Sequence, residues 1–95
     1  MAAYIIATVE VNDPDAYDTY RQQVPETLKP YGGEFVVRGG AMEVLEGEWE
    51  MPRCVVLRFP DVESAKAWHA SDAYAGPQAI RRSASRGNLI VVEGA

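Results

Sequence analysis

One cysteine and one histidine are the only thiol and imidazole groups in this 95-residue chain. Cys54 therefore has no partner for an internal disulfide, and a tetrahedral structural zinc site cannot be assembled from one chain's Cys and His. Cys54 falls in the apolar run Cys54-Val55-Val56-Leu57, where a free thiol behaves as a small buried hydrophobe. A haem would have His69 alone as an imidazole ligand. Positive charge is also scarce. Nine Lys and Arg stand against fourteen Asp and Glu, for a net charge of −5. The tightest basic group, Arg81, Arg82 and Arg86, reads equally well as a solvated helix face. Nucleic-acid binding needs a clustered positive face, so no nucleic-acid partner is expected, and an anionic membrane surface is disfavoured for the same reason. No run approaches the ~18 apolar residues of a membrane span. The start, Met1-Ala2-Ala3-Tyr4-Ile5-Ile6, lacks a basic leader region, and Thr8 and Glu10 interrupt its apolar stretch, so no signal peptide is expected. The default expectation is a soluble cytoplasmic protein. Glycine-rich phosphate loops, a nucleophile elbow and His/carboxylate clusters with metal spacing are all missing, and no cofactor or metal is expected.

What remains is an ordinary globular composition, 47% hydrophobic, in one domain's length of chain. Residues 4–11 read as a β-strand rich in β-branched side chains. Asp13 can cap a helix that begins at Pro14, with Asp15 at the positive end of its dipole. Tyr17, Tyr20, Val24 and Leu28 then fall on one helical face. Pro25 lies inside that pattern, removes a backbone donor and predicts a kink near residues 21–24. Residues 34–38 form a second strand, which the pair Gly39-Gly40 interrupts as a bulge and residues 42–46 resume. Residues 47–52 make a hairpin turn, and 53–59 return as the third strand. Asp61 caps a second helix bearing Val62, Ala65 and Trp68. Ser71 or Asp72 caps a further helical stretch from about Ala73 to Ser85. Gly87-Asn88 turns into a last strand over 89–93.

Side chains alternate between the two faces of a strand. Ile5, Ala7, Val9, Val11, Phe35, Val37, Val55, Leu57, Phe59, Leu89 and Val91 share one wholly apolar face. Tyr4, Ile6, Thr8, Glu10, Glu34, Val36, Arg38, Cys54, Val56, Arg58, Ile90 and Val92 share the other, half polar. Right-handed crossovers put both helical segments of a βαββαβ unit on the same side of the sheet. The expected fold is α+β, a ferredoxin-like βαββαβ domain over residues 1–95 with a four-stranded antiparallel sheet. The helices cover the wholly apolar face, and the second face is left bare. A monomer rarely tolerates an apolar patch of more than a few hundred Å², so the sequence predicts a homodimer packed sheet on sheet about a two-fold axis. Its interface would bury about 1,600 Å² or more in total. The charged residues of that face would form cross-sheet ion pairs, Glu10 or Glu34 with Arg38 or Arg58, or else line a cleft in which an arginine orients an anionic or carbonyl-bearing small molecule.

Several stretches carry a resemblance along nearly the whole chain: Tyr4-Ile5-Ile6 with Val9-Glu10-Val11, Asp13-Pro14-x-x-Tyr17-x-x-Tyr20, Gly32-Gly33, Val37-Arg38-Gly39-Gly40, Val44-Leu45-Glu46-Gly47-x-Trp49, Phe59-Pro60, Ala67-Trp68, Ser71-x-x-Tyr74 and Val92-Glu93-Gly94. In this order and spacing they resemble DUF1330, a bacterial family within the dimeric α+β-barrel superfamily. The resemblance implies a ferredoxin-like fold and a face-to-face dimer. It implies no activity, and the oxygenases, isomerases, haem enzymes and sensor domains of related branches bear on this chain by fold analogy only.

The candidate site residues follow. Arg38 before Gly39 and Gly40 could present its guanidinium to a carboxylate, with glycine amides as further donors; the plainer reading is a strand bulge with Arg38 paired to an acid. Trp49, on the expected hairpin turn, could lid a pocket but suits dimer packing better. Glu46 could act as an acid or base if desolvated, against a surface salt bridge. Tyr20 and Tyr17 belong to the core stripe, with a pocket-directed phenol as the alternative. His69 is the one side chain that ordinarily titrates near neutrality, and a lone helical His is usually solvated. Tyr74, beside a helix break, packs or borders a cleft. Three readings stay open: a small-molecule-binding dimer, with Arg38, Gly39, Gly40, Trp49 and Tyr74 at the ligand; a cofactor-free oxygenase or isomerase, with Arg38 orienting substrate and Glu46, His69 or Tyr20 moving a proton; and a structural interaction module.

Overall fold

A computed structural model describes all 95 residues. The elements run β1 (Ala3–Val11), α1 (Pro14–Leu28), a short 3-10 turn (Lys29–Tyr31), β2 (Glu34–Arg38), β3 (Arg53–Phe59), α2 (Val62–His69), α3 (Asp72–Ala84) and β4 (Ser85–Glu93). The sheet order is β2-β3-β1-β4, antiparallel throughout. Each α-helix starts where its cap predicts. Asp13 accepts from the Ala16 amide at 3.2 Å, Asp61 from that of Ser64 at 2.7 Å, and Ser71 from that of Tyr74 at 3.2 Å; each bond satisfies an amide that the first helical turn leaves without a partner.

All helices lie on one side of the sheet, and the molecule is only 17 Å along its thinnest axis, the depth of one sheet and one helical layer. Ile5, Leu57 and Phe59 from the sheet meet Val24 and Leu28 of α1, Ala65 and Trp68 of α2 and Tyr74 of α3 in the main core. The other face is bare, as the alternation predicts. Val36 is 55%, Ile90 54% and Val92 43% exposed.

Three expectations need correction. Residues 42–46 are not a strand: everything from Gly40 to Pro52 lacks regular secondary structure, and residues 41–50 are exposed without exception. The stretch is an extended arm between β2 and β3, because Met42, Val44 and Leu45 find no strand to pair with in their own chain. Next, β4 begins at Ser85 rather than at residue 89, and Gly87 pairs with Val9 inside the sheet. A Cβ at Gly87 would strike the Thr8 carbonyl oxygen, so this glycine serves close strand approach and not a turn. Helix α1 runs on through Pro25 to Leu28.

The third correction has the largest consequence. The bulge lies at Val36, not at the glycine pair. Phe35 pairs with Leu57, but Val37 then pairs with Val56 and Arg38 with Val55. One extra residue inverts the alternation beyond it. Val37 therefore turns to the bare face, and Arg38 turns away from it, toward the helices.

Candidate functional site

Between the sheet and helices α1–α3 lies a cavity of about 30 Å³. Its floor is Ile5, Ala7, Val9, Phe35, Val55, Leu57 and Leu89, and its roof includes Tyr17, Tyr20, Val24 and Trp68. Four arginines reach it, Arg21, Arg38, Arg53 and Arg81, and no carboxylate lines it.

Each guanidinium is placed by a separate device. Arg38 stacks on the Phe35 ring, 4.3 Å from its centroid, and donates to the Arg21 carbonyl at 2.8 Å. That carbonyl is available because Pro25, four residues on, has no N–H to give it. The proline that seemed only to disturb α1 thus supplies the acceptor that holds Arg38. Arg53 projects from β3 on the same face as Val55 and Leu57 and stands 5.4 Å from the Tyr17 ring centroid. It passes directly over Gly39, where a Cβ would collide with its guanidinium. Arg81, two helical turns beyond Tyr74 in α3, donates through Nε to the Tyr74 hydroxyl at 3.3 Å. Arg21 pairs with the exposed Asp18 at 3.3 Å. Arg38, Arg53 and Arg81 form no ion pair, and the Nε atoms of Arg21 and Arg53 are buried without a hydrogen-bond partner. In a chain of net charge −5, this is a concentrated and uncompensated positive field around an apolar hollow.

The cavity brings together Arg38 and Tyr20 from the sequence-predicted set. Tyr74, fully buried, stands behind Tyr20, with the two hydroxyls 2.9 Å apart. Burial pushes the Tyr20 phenol far above its ordinary range, so it keeps its proton and acts as a donor. Gly39 does not offer a free amide, since its N–H donates to the Cys54 carbonyl at 2.9 Å. Its role is to make room for Arg53. Gly40 contacts nothing near its Cα, and like Glu46 and Trp49 it lines a shallow surface groove along the arm, outside the cavity. Trp49 is 54% exposed. His69 ends α2 on an outer groove with Arg82, Ser85 and Arg86; its ring Nε2 lies 2.9 Å from the Gln78 side-chain nitrogen. Partial burial, with Arg81 and Arg82 nearby, lowers its pKa. Of the expected ion pairs, Glu34 with Arg58 forms and one with Glu10 does not. Arg58 faces Glu34 at 3.9 Å, but Glu10 is held by Arg86 at 2.8 Å, and that bond draws the Glu10 carboxyl below its usual range.

Arg21, Arg53 and Arg81 were missed by sequence reasoning, although a signal was present for two of them. Arg53 has the parity of Val55 and Leu57, and Arg81 lies seven residues from Tyr74, on the same helical face. Gly39 has φ +68°, a conformation that a Cβ makes unfavourable. Gly39→Ala is expected to cost about 1–2 kcal/mol in urea unfolding and to expel the Arg53 guanidinium from the cavity in a crystal structure. An unmoved Arg53 would contradict this account of the glycine.

Known structures share the architecture. The chain is similar to RPA0582, a protein of unknown function from Rhodopseudomonas palustris, with 16% identity and a TM-score of 0.78, covering 99% of this chain and 82% of that one. It is similar to a dimeric ferredoxin-like protein of unknown function from Jannaschia sp. CCS1, with 15% identity and a TM-score of 0.80 over 99% of this chain and all 100% of that one. SnoaB, a cofactor-independent oxygenase from Streptomyces nogalater, is similar at 11% identity and a TM-score of 0.67, covering 99% and 93% of the two chains. At such identities the likeness shows a ferredoxin-like α+β fold and nothing of activity. No curated protein matches the sequence. The sequence-level resemblance is confirmed across the chain: residues 2–95 match the family described as a domain of unknown function, DUF1330, and the protein belongs to that family.

Proposed function

We propose that this protein is a homodimer that binds a small organic anion in the cavity between sheet and helices. The observation that carries the binding reading is the convergence of Arg38, Arg53 and Arg81, none of them paired with a carboxylate, on an apolar hollow. Unpaired guanidiniums held together are costly, because like charges repel and the buried Nε–H of Arg53 lacks an acceptor. A carboxylate relieves both costs through charge-assisted hydrogen bonds. The apolar floor then takes the ligand's carbon skeleton. The cavity, about 30 Å³ as it stands, admits a short-chain acid once an arginine side chain swings aside.

The dimer rests on the bare sheet face. The arm extends that surface, with Met42 41%, Val44 52%, Leu45 88% and Trp49 54% exposed. Trp49 shares a groove with Thr8 and Asn88 at the end of the face. A second copy, sheet on sheet, covers both, in keeping with the dimeric relative from Jannaschia. Among the candidate proton-moving groups, Glu46 and His69 lie outside the cavity and Tyr20 holds its proton tightly. The residue set therefore favours binding over cofactor-free oxygenation or isomerisation.

Titration calorimetry with butanoate and with butanamide, which has the same skeleton without the charge, tests the site. The acid is expected to bind and the amide not. Arg38→Ala is expected to weaken the acid about tenfold to a hundredfold, the worth of a charge-assisted hydrogen bond. Equal responses to acid and amide would overturn the reading.

A further inference from the structure

Resting on that reading, the hydrogen-bonded chain that ends at Tyr20, a residue of the cavity lining, narrows the ligand class. Arg81 Nε donates to the Tyr74 oxygen at 3.3 Å, and the Tyr74 and Tyr20 oxygens are 2.9 Å apart. Either phenol could donate in the second bond, but burial decides between them. Tyr74 is 0% exposed, and its hydroxyl has only Arg81 and Tyr20 as partners. Arg81 has no acceptor to offer. If Tyr20 were the donor, the Tyr74 proton would be buried with nothing to receive it, at the desolvation cost of an orphaned donor. The chain therefore runs from Arg81 to Tyr74 to Tyr20. The Tyr20 oxygen accepts from Tyr74, and its own proton is left for the cavity that Tyr20 lines. A cation at the head of such a chain polarises each O–H in turn and strengthens the last donor.

We propose that the bound anion carries a second oxygen acceptor beside its carboxylate, as a short 2-oxo acid does, and that Tyr20 donates its proton to that carbonyl oxygen. The cavity wall favours a carbonyl over a hydroxyl at this position. It presents four guanidiniums and no carboxylate or amide side chain, so a ligand hydroxyl would bring in a proton with no side-chain carboxylate or amide to accept it. A carbonyl brings none. Burial keeps Tyr20 protonated well above neutral pH, which suits a permanent donor.

The test compares butanoate, 2-hydroxybutanoate and 2-oxobutanoate by titration calorimetry. The wild-type protein is expected to bind the oxo acid about tenfold more tightly than butanoate, the worth of one good hydrogen bond, and more tightly than the hydroxy acid. In Tyr20→Phe the oxo-acid preference over butanoate, measured within the same variant, should fall to about twofold or less. Butanoate binding without an oxo-acid preference leaves the anion site standing and removes the role of Tyr20. A preference that survives in Tyr20→Phe, equal weakening of both acids by that substitution, or a hydroxy acid as tight as the oxo acid each overturns the proposal. If neither acid binds the wild-type protein, the anion site itself fails and this inference with it. A crystal structure of the wild-type protein with 2-oxobutanoate needs no variant: the keto oxygen should lie about 3 Å from the Tyr20 hydroxyl, and a keto oxygen turned elsewhere overturns the assignment.

Discussion

Trp68→Ala is expected to destabilise the protein by about 3–5 kcal/mol, the cost typical of truncating a buried aromatic. Trp68 is 1% exposed and joins all the layers of the core. Its ring lies 4.0 Å from that of Tyr74 and 5.6 Å from that of Phe59. Its Nε1 donates to Thr27 Oγ1 at 3.0 Å, and Thr27 in turn donates to the Val24 carbonyl at 2.7 Å. Removing the indole opens a void between α1, α2 and the sheet, next to an existing cavity that already weakens local packing. A domain of this length has about 5–14 kcal/mol to lose, so the variant should sit near the edge of folding. Urea unfolding at one fixed protomer concentration measures the effect, since association adds to apparent stability. A loss under about 1 kcal/mol would mean that the core closes over the gap, contrary to its packing.

Ile90→Glu is expected to separate the proposed dimer. Ile90 lies on the bare face of the edge strand β4, opposite Ile6 in the sheet, and is 54% exposed in the single chain. A glutamate there leaves the isolated protomer's core untouched. In a two-fold dimer each substitution enters the interface twice. An unpaired charge in a covered apolar surface costs about 3 kcal/mol or more, so two of them should raise the dissociation constant by about four orders of magnitude. Sedimentation velocity at micromolar concentration should show the wild-type protein at twice the chain mass and the variant at one chain mass. A wild-type protein that sediments as a single chain, or a variant that remains paired, would remove this face from the interface.

Much of the architecture was legible because its causes are local. Asp13, Asp61 and Ser71 mark helix starts through bonds that span three residues. The alternation of Ile5, Ala7 and Val9 with Tyr4, Ile6 and Thr8 identifies both faces of β1 from a two-residue period. The bare face followed from the same period together with the handedness of the crossovers. The arm was misjudged for a related reason. Met42-Glu43-Val44-Leu45-Glu46 alternates as a strand does, but alternation reports only that one side of a segment is apolar. It does not supply a neighbour to pair with.

The site was legible in part. Arg38 and Tyr20 were chosen for their chemistry, yet Arg38 was assigned to the wrong face, and Arg53 and Arg81 were passed over. That Pro25 would orphan a carbonyl could be read from sequence; that Arg38 would claim it could not, because the two meet only across the interface of α1 and β2. The sequence by itself determined the elements, their caps, the apolar periods and the family, all of which depend on neighbours within a few residues. Tertiary structure alone decided which way Arg38 points. A single unpaired residue at Val36 reverses every side chain beyond it, and where that residue falls is set by the pairing of β2 with β3, between positions some twenty residues apart in the chain.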